Sequence, residues 1–354
     1  GRSFGGSTVH NTNLCKRIPA PILAAWRTDR GLRHLPLPRW EALYDEVESM
    51  LEVSAIEEAR WSPHNRLLAR GVAELGWEGG GLRHNRTGCI GSGFCELGCA
   101  YDGKNNGAKV VLPRAMRAGA SVITRCQAVR VEHDGGRATG VEALALDART
   151  REPLGRVTVE ARQVCLSGSA TGTAAVLLRS DVPDPGGETG NGLRIHPAVV
   201  AAGEMEGEVR AWEGIPQSYE CTEHLSLRGA ARPPTGTRTW IVPAFAHPVG
   251  TATMLPGMGR GHRRLMEAYS RMAVFTAVIH DHTAGQVRPD GDLGLEIEYV
   301  PNDVDRRELR FGLGELVRVL FAAGARRVFV PSDPVIELSP SDASSWLGRV
   351  DVSN

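Results

Sequence analysis

The chain opens with a short segment, residues 1–11, whose residue types suit a phosphate-bearing ligand. Gly1, Gly5 and Gly6 stand there among small hydroxyl residues, and Asn11 ends the segment. Glycine reaches positive φ at little cost and has no Cβ to hold a ligand away from the backbone. Successive loop N–H groups can then form an anion-binding concavity. The same composition is also typical of an ordinary turn, so the residue types alone leave both interpretations open.

A second segment that could do chemistry is a glycine-rich loop with three cysteines, Cys89, Cys95 and Cys99. Closely spaced thiolates could hold an iron–sulfur cluster or zinc. A ferredoxin-type cluster needs the four-cysteine pattern C-x2-C-x2-C-x3-C, and Ser92 breaks that set. Tetrahedral zinc would also lack a fourth ligand unless a histidine such as His84 supplied it. The sequence favours a structural loop and no metal, with iron–sulfur and zinc as the alternatives.

Two histidine motifs are the remaining candidates for chemistry. His247 begins the run His-Pro-Val-Gly-Thr, and a histidine has the residue type of a general base. The run His280-Asp281-His282 combines metal-ligand residue types, but the glycine at position 285 also favours a turn there. We predict no metal at this second motif. His247 is the single candidate catalytic residue, and the catalytic set is otherwise unknown.

The elements that must position these residues can be predicted from hydrophobic spacing and turn residues. The sequence predicts a mostly helical region followed by two sheet-containing regions. Gly168 separates a strand from an apolar helix, and Gly324 ends the last helix. The predicted elements are a mostly helical segment 12–75, strands at 121–131, 138–144 and 156–166, a helix at 174–178, strands at 272–281 and 295–299, and a helix at 307–323.

Composition and charge exclude several classes of protein. A chain of 354 residues has length for two domains. Its 41 basic residues balance 41 acidic ones, so no net positive charge indicates nucleic-acid binding. No apolar run approaches the roughly 20 residues of a membrane span. Seven cysteines, an odd number, do not suit a disulfide framework, and the expected location is therefore the cytoplasm.

The pattern Gly1-Arg2-x-x-Gly5-Gly6-Ser7-Thr8-x-x-Asn11, followed by Cys15-Lys16-Arg17-Ile18-Pro19, resembles the flavin-contacting signature of glucose–methanol–choline (GMC) oxidoreductases. The branch it most resembles contains long-chain alcohol oxidases and dehydrogenases. The resemblance implies FAD as cofactor, held at its pyrophosphate and flavin edge by the first loop. It also implies contacts to the adenine or ribose from the strand near position 128 and from the turn at position 168. The implied cofactor-binding residues are Gly5, Gly6, Ser7, Thr8, Asn11, Ala128 and Gly168.

The resemblance further implies an α/β (α+β) two-domain fold, in which a ββα three-layer FAD-binding domain is joined to a sheet-plus-helix substrate domain. We expect the FAD-binding domain at 1–20 and 105–200, a helical and Cys/Gly-rich cover at 21–104, and the substrate domain at 201–354. The family's strand–GxGxxG–helix unit and its C-terminal catalytic histidine segment are expected outside these residues. On that expectation the chain is a fragment and its FAD-binding domain is incomplete.

The function implied is oxidation of the CH–OH group of an alcohol, with hydride transfer to flavin N5 and oxygen, a quinone or a cytochrome as electron acceptor. Two alternatives stay open. The first is a catalytically incomplete chain that binds at most a nucleotide or a partner. The second is a flavin dehydrogenase with an iron–sulfur centre at Cys89, Cys95 and Cys99.

Overall fold

A computed structural model describes most of the chain, which folds into two compact units. Unit 1 comprises residues 1–119, 197–280 and 306–354, and unit 2 comprises residues 120–196 and 281–305. The described residues are 2–225, 238–255, 257–332, 335–342 and 345–346.

Several helices begin where proline fixes the backbone at their first turn, as at Pro38 and Pro63. The Ser62 side chain also accepts the N–H of Asn65 and so caps the second of these helices. The helices of the described chain are α1 (Ala20–Asp29), α2 (Leu37–Leu51), α3 (Pro63–Glu74), α4 (Val111–Arg117), α5 (Ser169–Arg179), α6 (Pro248–Met254), α7 (Gly259–Glu267) and α8 (Asp303–Ala322). Within the described ranges, none of these helices is both long and apolar enough to cross a bilayer.

Among the residues that the structure describes, the strands pair antiparallel in four sheets. The strands are β1 (Val53–Ala55), β2 (Gly79–Gly81), β3 (Arg83–Asn85), β4 (Cys126–His133), β5 (Ala138–Leu146), β6 (Pro153–Glu160), β7 (Asn191–Leu193), β8 (Ala198–Glu204), β9 (Tyr219–Cys221), β10 (Thr239–Pro243), β11 (Met272–Ile279), β12 (Gly285–Asp290), β13 (Gly294–Glu298), β14 (Arg327–Val330) and β15 (Ile336–Leu338).

Unit 1 is built on a seven-stranded sheet in the order β15-β14-β8-β11-β10-β9-β2. The central strand β11 pairs with β8 from Met272 opposite Glu204 onward. Its side chains alternate between more and less buried positions, as expected for a strand with one face in a core. Phe275 packs there with Leu68 of α3 and Leu316 of α8 in the main hydrophobic core. The sheet includes β2, and α3 packs on it, so unit 1 also contains residues of the predicted cover segment 21–104.

Unit 2 contains two three-stranded sheets, β4-β5-β6 and β13-β12-β7, with helix α5. Val129, Leu144 and Leu146 form a small core against Leu293. The α5 helix is tied to β4 because the Ser180 hydroxyl, just beyond its end, accepts the N–H of Val131 at 2.8 Å. Three antiparallel strands followed by a helix are the order that the sequence predicts.

Two predicted strand segments differ from the structure. The predicted strand 121–131 begins only at Cys126, because Arg125 has φ +54°, which interrupts an extended backbone. The predicted strand 156–166 ends at Glu160, since within the described chain no strand lies beside 163–166 to pair with its backbone. The α/β two-domain fold class is confirmed, and the limits of the FAD-binding, cover and substrate domains stay predictions.

Candidate cofactor-binding site

The glycine loop of unit 1, residues 3–11, consists of two consecutive turns. The Gly6 N–H donates to the Ser3 carbonyl at 2.9 Å, and a single turn of 3-10 helix follows over Gly6–Val9. The Asn11 N–H then donates to the Ser7 carbonyl at 3.1 Å. Gly5 and Gly6 have φ values of +91° and +63°, where a side chain would be strained. These two glycines are therefore what allows the chain to fold back so tightly.

One side of the glycine loop is fixed to the segment before α4. A Cβ on Gly5 would lie 2.7 Å from the backbone nitrogen of Ala108 and 2.8 Å from its Cβ, so only glycine fits there. The Thr8 hydroxyl donates to the Gly5 carbonyl at 2.6 Å and accepts the Gly107 N–H at 2.9 Å. The hydroxyl of Thr8 thus stabilises the loop, and its predicted contact with a cofactor stays a prediction.

The other side of the glycine loop is open. Nothing in the described chain lies within 4 Å of a Cβ built on Gly6. Ser7 is exposed, and its hydroxyl makes no hydrogen bond to the described residues. Asn11 is also exposed, and its Oδ1 accepts the N–H of Asn13 at 3.1 Å. A rigid loop with an open glycine face and an available hydroxyl fits a phosphate group, so the residues present are compatible with a dinucleotide such as FAD.

The other two predicted cofactor residues, Ala128 and Gly168, lie in unit 2. Ala128 pairs with Ala143 of β5, and the register shifts immediately after it in a β-bulge. Gly168 is the N-cap of α5, and its N–H donates to the Thr173 hydroxyl at 3.0 Å. Ser169 follows with φ +66°, an uncommon backbone conformation for a non-glycine residue. The structure thus groups five of the seven predicted residues on one loop of unit 1 and places the other two in unit 2.

The three cysteines of the Cys/Gly-rich loop line one small cavity of unit 1. The cavity measures about 20 Å³, room for about one water molecule, and Arg86 and Lys104 also line it. Cys89, Cys95 and Cys99 are all free thiols. Burial is the main cause that raises the pKa of Cys95, which favours its protonated form.

The surroundings of the cysteine loop bear on the metal alternatives. Among the residues that the structure describes, no group of three or more His, Cys, Asp or Glu side chains has a metal-binding arrangement. The zinc alternative used His84 as fourth ligand, and in the structure both ring nitrogens of this histidine are occupied. One contacts the Gln217 carbonyl at 3.0 Å and the other contacts the Arg86 guanidinium at 3.1 Å. Burial chiefly lowers the pKa of His84 to about 4.

The histidine of the His-Pro-Val-Gly-Thr run serves as a helix cap. His247 precedes α6, and its Nδ1 accepts the N–H of Gly250 at 3.2 Å. The ring also lies 5.7 Å from that of Phe245. Because Nδ1 accepts, the neutral ring carries its proton on Nε2, so the nitrogen that could accept a substrate proton is the one already used by the helix.

The His280-Asp281-His282 motif lies in the irregular segment between β11 and β12. In unit 2 the Asp281 carboxylate accepts the Ile195 N–H at 2.9 Å and the Tyr299 hydroxyl at 2.6 Å. These bonds hold Asp281 in a structural role.

Sequence reasoning missed one residue at this site, Lys104. Its ammonium is buried and donates to backbone carbonyls of both the glycine loop and the cysteine loop. The chain contains only three lysines (Lys16, Lys104, Lys109) against 38 arginines. Of these three lysines, Lys16 and Lys109 are exposed and Lys104 alone is buried, a difference that composition does not show.

The fold and this loop define a class of protein. Residues 1–198, more than half of the chain, match the family profile described as GMC oxidoreductase. The chain belongs to the GMC oxidoreductase family, which confirms the resemblance seen in its sequence.

Particular relatives extend along nearly the whole chain. It is 30% identical over 346 residues to an uncharacterized GMC-type oxidoreductase of Mycobacterium tuberculosis, and 25% identical over 338 residues to a long-chain-alcohol oxidase of Arabidopsis thaliana. These alignments cover 96% and 93% of this chain, but 52% and 44% of the relatives. The chain therefore spans about half the length of the curated relatives it matches.

A solved structure supports the fold. The crystal structure of pyridoxine 4-oxidase from Mesorbium loti superposes with a TM-score of 0.55 at 15% sequence identity, covering 83% of this chain and 57% of that one. At this identity the similarity concerns the fold alone.

Proposed function

We propose that this chain forms part of an FAD-dependent oxidoreductase that oxidises the CH–OH group of an alcohol. The observation that carries the proposal is the glycine loop, which is fixed on one side and open on the other, in a chain that belongs to the GMC oxidoreductase family. The similarity to a long-chain-alcohol oxidase supports an alcohol as substrate, with long-chain alcohols as the first class to test.

In this proposal the residues of the chain bind and orient. Gly6 would allow a pyrophosphate close to the backbone, and Ser7 would donate its hydroxyl to a phosphate oxygen. Gly168, at the N-terminus of α5, would present an anion-favouring helix end to the nucleotide, and the β4 backbone at Ala128 would contact the base. The bound flavin would supply the redox chemistry by accepting hydride from the carbinol carbon at N5. The electron acceptor is outside this proposal.

The proposal leaves the proton acceptor unassigned. His247 caps α6 through Nδ1, so acting as a base would require its ring to leave that hydrogen bond or to protonate there. This observation favours a second candidate function, a nucleotide-binding chain that contributes no general base of its own.

The experiment that tests the proposal is the visible absorption spectrum of the purified chain before and after incubation with FAD and desalting. A retained flavin band would support the cofactor assignment and would lead to dye-reduction assays with long-chain alcohols. Reduction of dye that depends on alcohol would support oxidation and exclude the second candidate. A colourless chain that takes up no FAD would refute cofactor binding by this chain.

A further inference from the structure

Lys104 lies in the segment that precedes α4 and is 1% exposed. Its Nζ donates to the Val9 carbonyl at 2.9 Å, to the Cys95 carbonyl at 2.7 Å and to the Asn11 carbonyl. An ammonium group has three protons and accepts no hydrogen bond. All three of its donors are therefore used, two on the glycine loop and one on the cysteine loop.

The charge of this ammonium has no carboxylate partner within salt-bridge distance among the described residues. Burial is the main cause that lowers the pKa of Lys104, and the neighbouring Cys95, Cys99 and Glu96 oppose that shift. A buried cation held only by carbonyl oxygens is costly.

The hydrogen bonds also determine which way the loop's peptide groups face. In a trans peptide the C=O of one residue and the N–H of the next point in opposite directions. With the Asn11 carbonyl directed at Lys104, the Thr12 N–H points away from the lysine. That N–H makes no hydrogen bond within the described part of the chain. Lys104 thus directs the carbonyl acceptors of the loop towards its ammonium group and leaves the Thr12 N–H donor on the opposite side of the peptide.

We propose that Lys104 positions the glycine loop for a dinucleotide phosphate, through the convergence of its ammonium on the carbonyls of Val9, Asn11 and Cys95. The inference rests on the proposed FAD binding and assigns this positioning to one residue outside the loop. The buried positive charge contacts the Val9 and Asn11 carbonyls of the glycine loop, and a positive charge so near favours an anion bound by the same loop. An arginine could not replace it, because a planar guanidinium cannot direct three donors at three converging carbonyls.

Lys109 provides a matched control. It lies in the same segment but is exposed, and its ammonium contacts Asp102 without reaching the glycine loop. Replacing either lysine by methionine removes one charge and keeps a similar chain length. A difference between Lys104→Met and Lys109→Met would therefore report the buried contacts and not the net charge.

The test compares these two variants with the wild-type chain by titration with FAD and with riboflavin, which has no phosphate. We expect Lys104→Met to weaken FAD binding at least about tenfold, the effect of losing charge-assisted hydrogen bonds, with riboflavin binding and Lys109→Met unchanged within twofold. FAD binding by Lys104→Met within twofold of wild type would overturn the proposal. An equal loss for FAD and riboflavin would also overturn it, because general loosening would then explain the result.

The rate of hydrogen exchange of the amides in residues 3–12, measured without ligand, tests the role of Lys104 independently of FAD binding. We expect faster exchange in that segment for Lys104→Met and for Lys104→Arg, which retains the charge and serves if the methionine variant does not fold. Unchanged exchange in a folded Lys104 variant would overturn the role of Lys104 even where the wild-type chain binds FAD. A wild-type chain that binds no FAD would instead refute the cofactor proposal, and with it the phosphate role of Lys104.

Discussion

The two glycines of the glycine loop provide the sharpest test of the proposed site, because alanine perturbs them differently. Both have positive φ, so alanine at either position incurs a backbone strain of about 1–2 kcal/mol. At Gly5 the new Cβ would also lie 2.7 Å from the Ala108 nitrogen, whereas at Gly6 it meets nothing within 4 Å. Crowding of this kind costs a further ~1–3 kcal/mol. We expect Gly5→Ala to destabilise the chain by about 2–5 kcal/mol and Gly6→Ala by about 1–2 kcal/mol.

The order of the two variants should reverse when the affinity for FAD, measured per folded molecule, is compared instead of stability. Gly6→Ala places a methyl group on the open face where the pyrophosphate is proposed to lie. We expect it to weaken FAD binding by about tenfold or more, the cost of a lost close hydrogen bond, despite its smaller effect on stability. Gly135→Ala is a control, since Gly135 also has positive φ and open space but lies in a turn of unit 2.

Urea unfolding and FAD titration of the three variants are the required measurements. Equal loss of stability in Gly5→Ala and Gly6→Ala would refute the close approach of the glycine loop to Ala108. Normal FAD binding by Gly6→Ala would refute the open face as the phosphate site.

Further predictions concern pH, the cysteines and His247. Burial lowers the pKa of His64 and of His84 to about 4 from 6.5, so each stabilises the folded state above pH 6.5 and this stability is lost as pH falls towards 4. We expect the free energy of unfolding to drop by about 1–2 kcal/mol per histidine between pH 7 and pH 5. Urea melts at the two pH values measure this drop, and a His64→Gln variant with the same drop as the wild-type chain would contradict the prediction. Iron analysis should find no stoichiometric iron, and Cys89, Cys95 and Cys99 should react with a thiol reagent after denaturation. Iron in the stoichiometry of one cluster per chain would instead support the iron–sulfur alternative. Replacing His247 by alanine should cost ~1 kcal/mol through loss of the α6 cap, and a large loss of alcohol-dependent dye reduction at unchanged FAD content would show that it is a catalytic base.

The sequence by itself determined the features that depend on neighbouring residues. Positive-φ glycines, the alternating strand β13 and the stop of α8 before Gly324 each follow from local backbone preferences and side-chain periodicity. The family signature in residues 1–11 belongs to the same category, because it is a pattern of adjacent residue types. Even so, local patterns misjudged the start of β4, where Arg125 interrupts the strand.

Only the tertiary structure decided what the candidate residues contact. Lys104 reaches Val9, 95 positions earlier in the chain, and His84 contacts the carbonyl of Gln217. His247 is a possible base by residue type but a helix cap by geometry. Hydrogen bonds between distant residues depend on how the elements pack, and the periodicity of neighbouring residues does not predict that packing. The availability of a lysine, a histidine or a thiol for chemistry therefore depends on the folded chain.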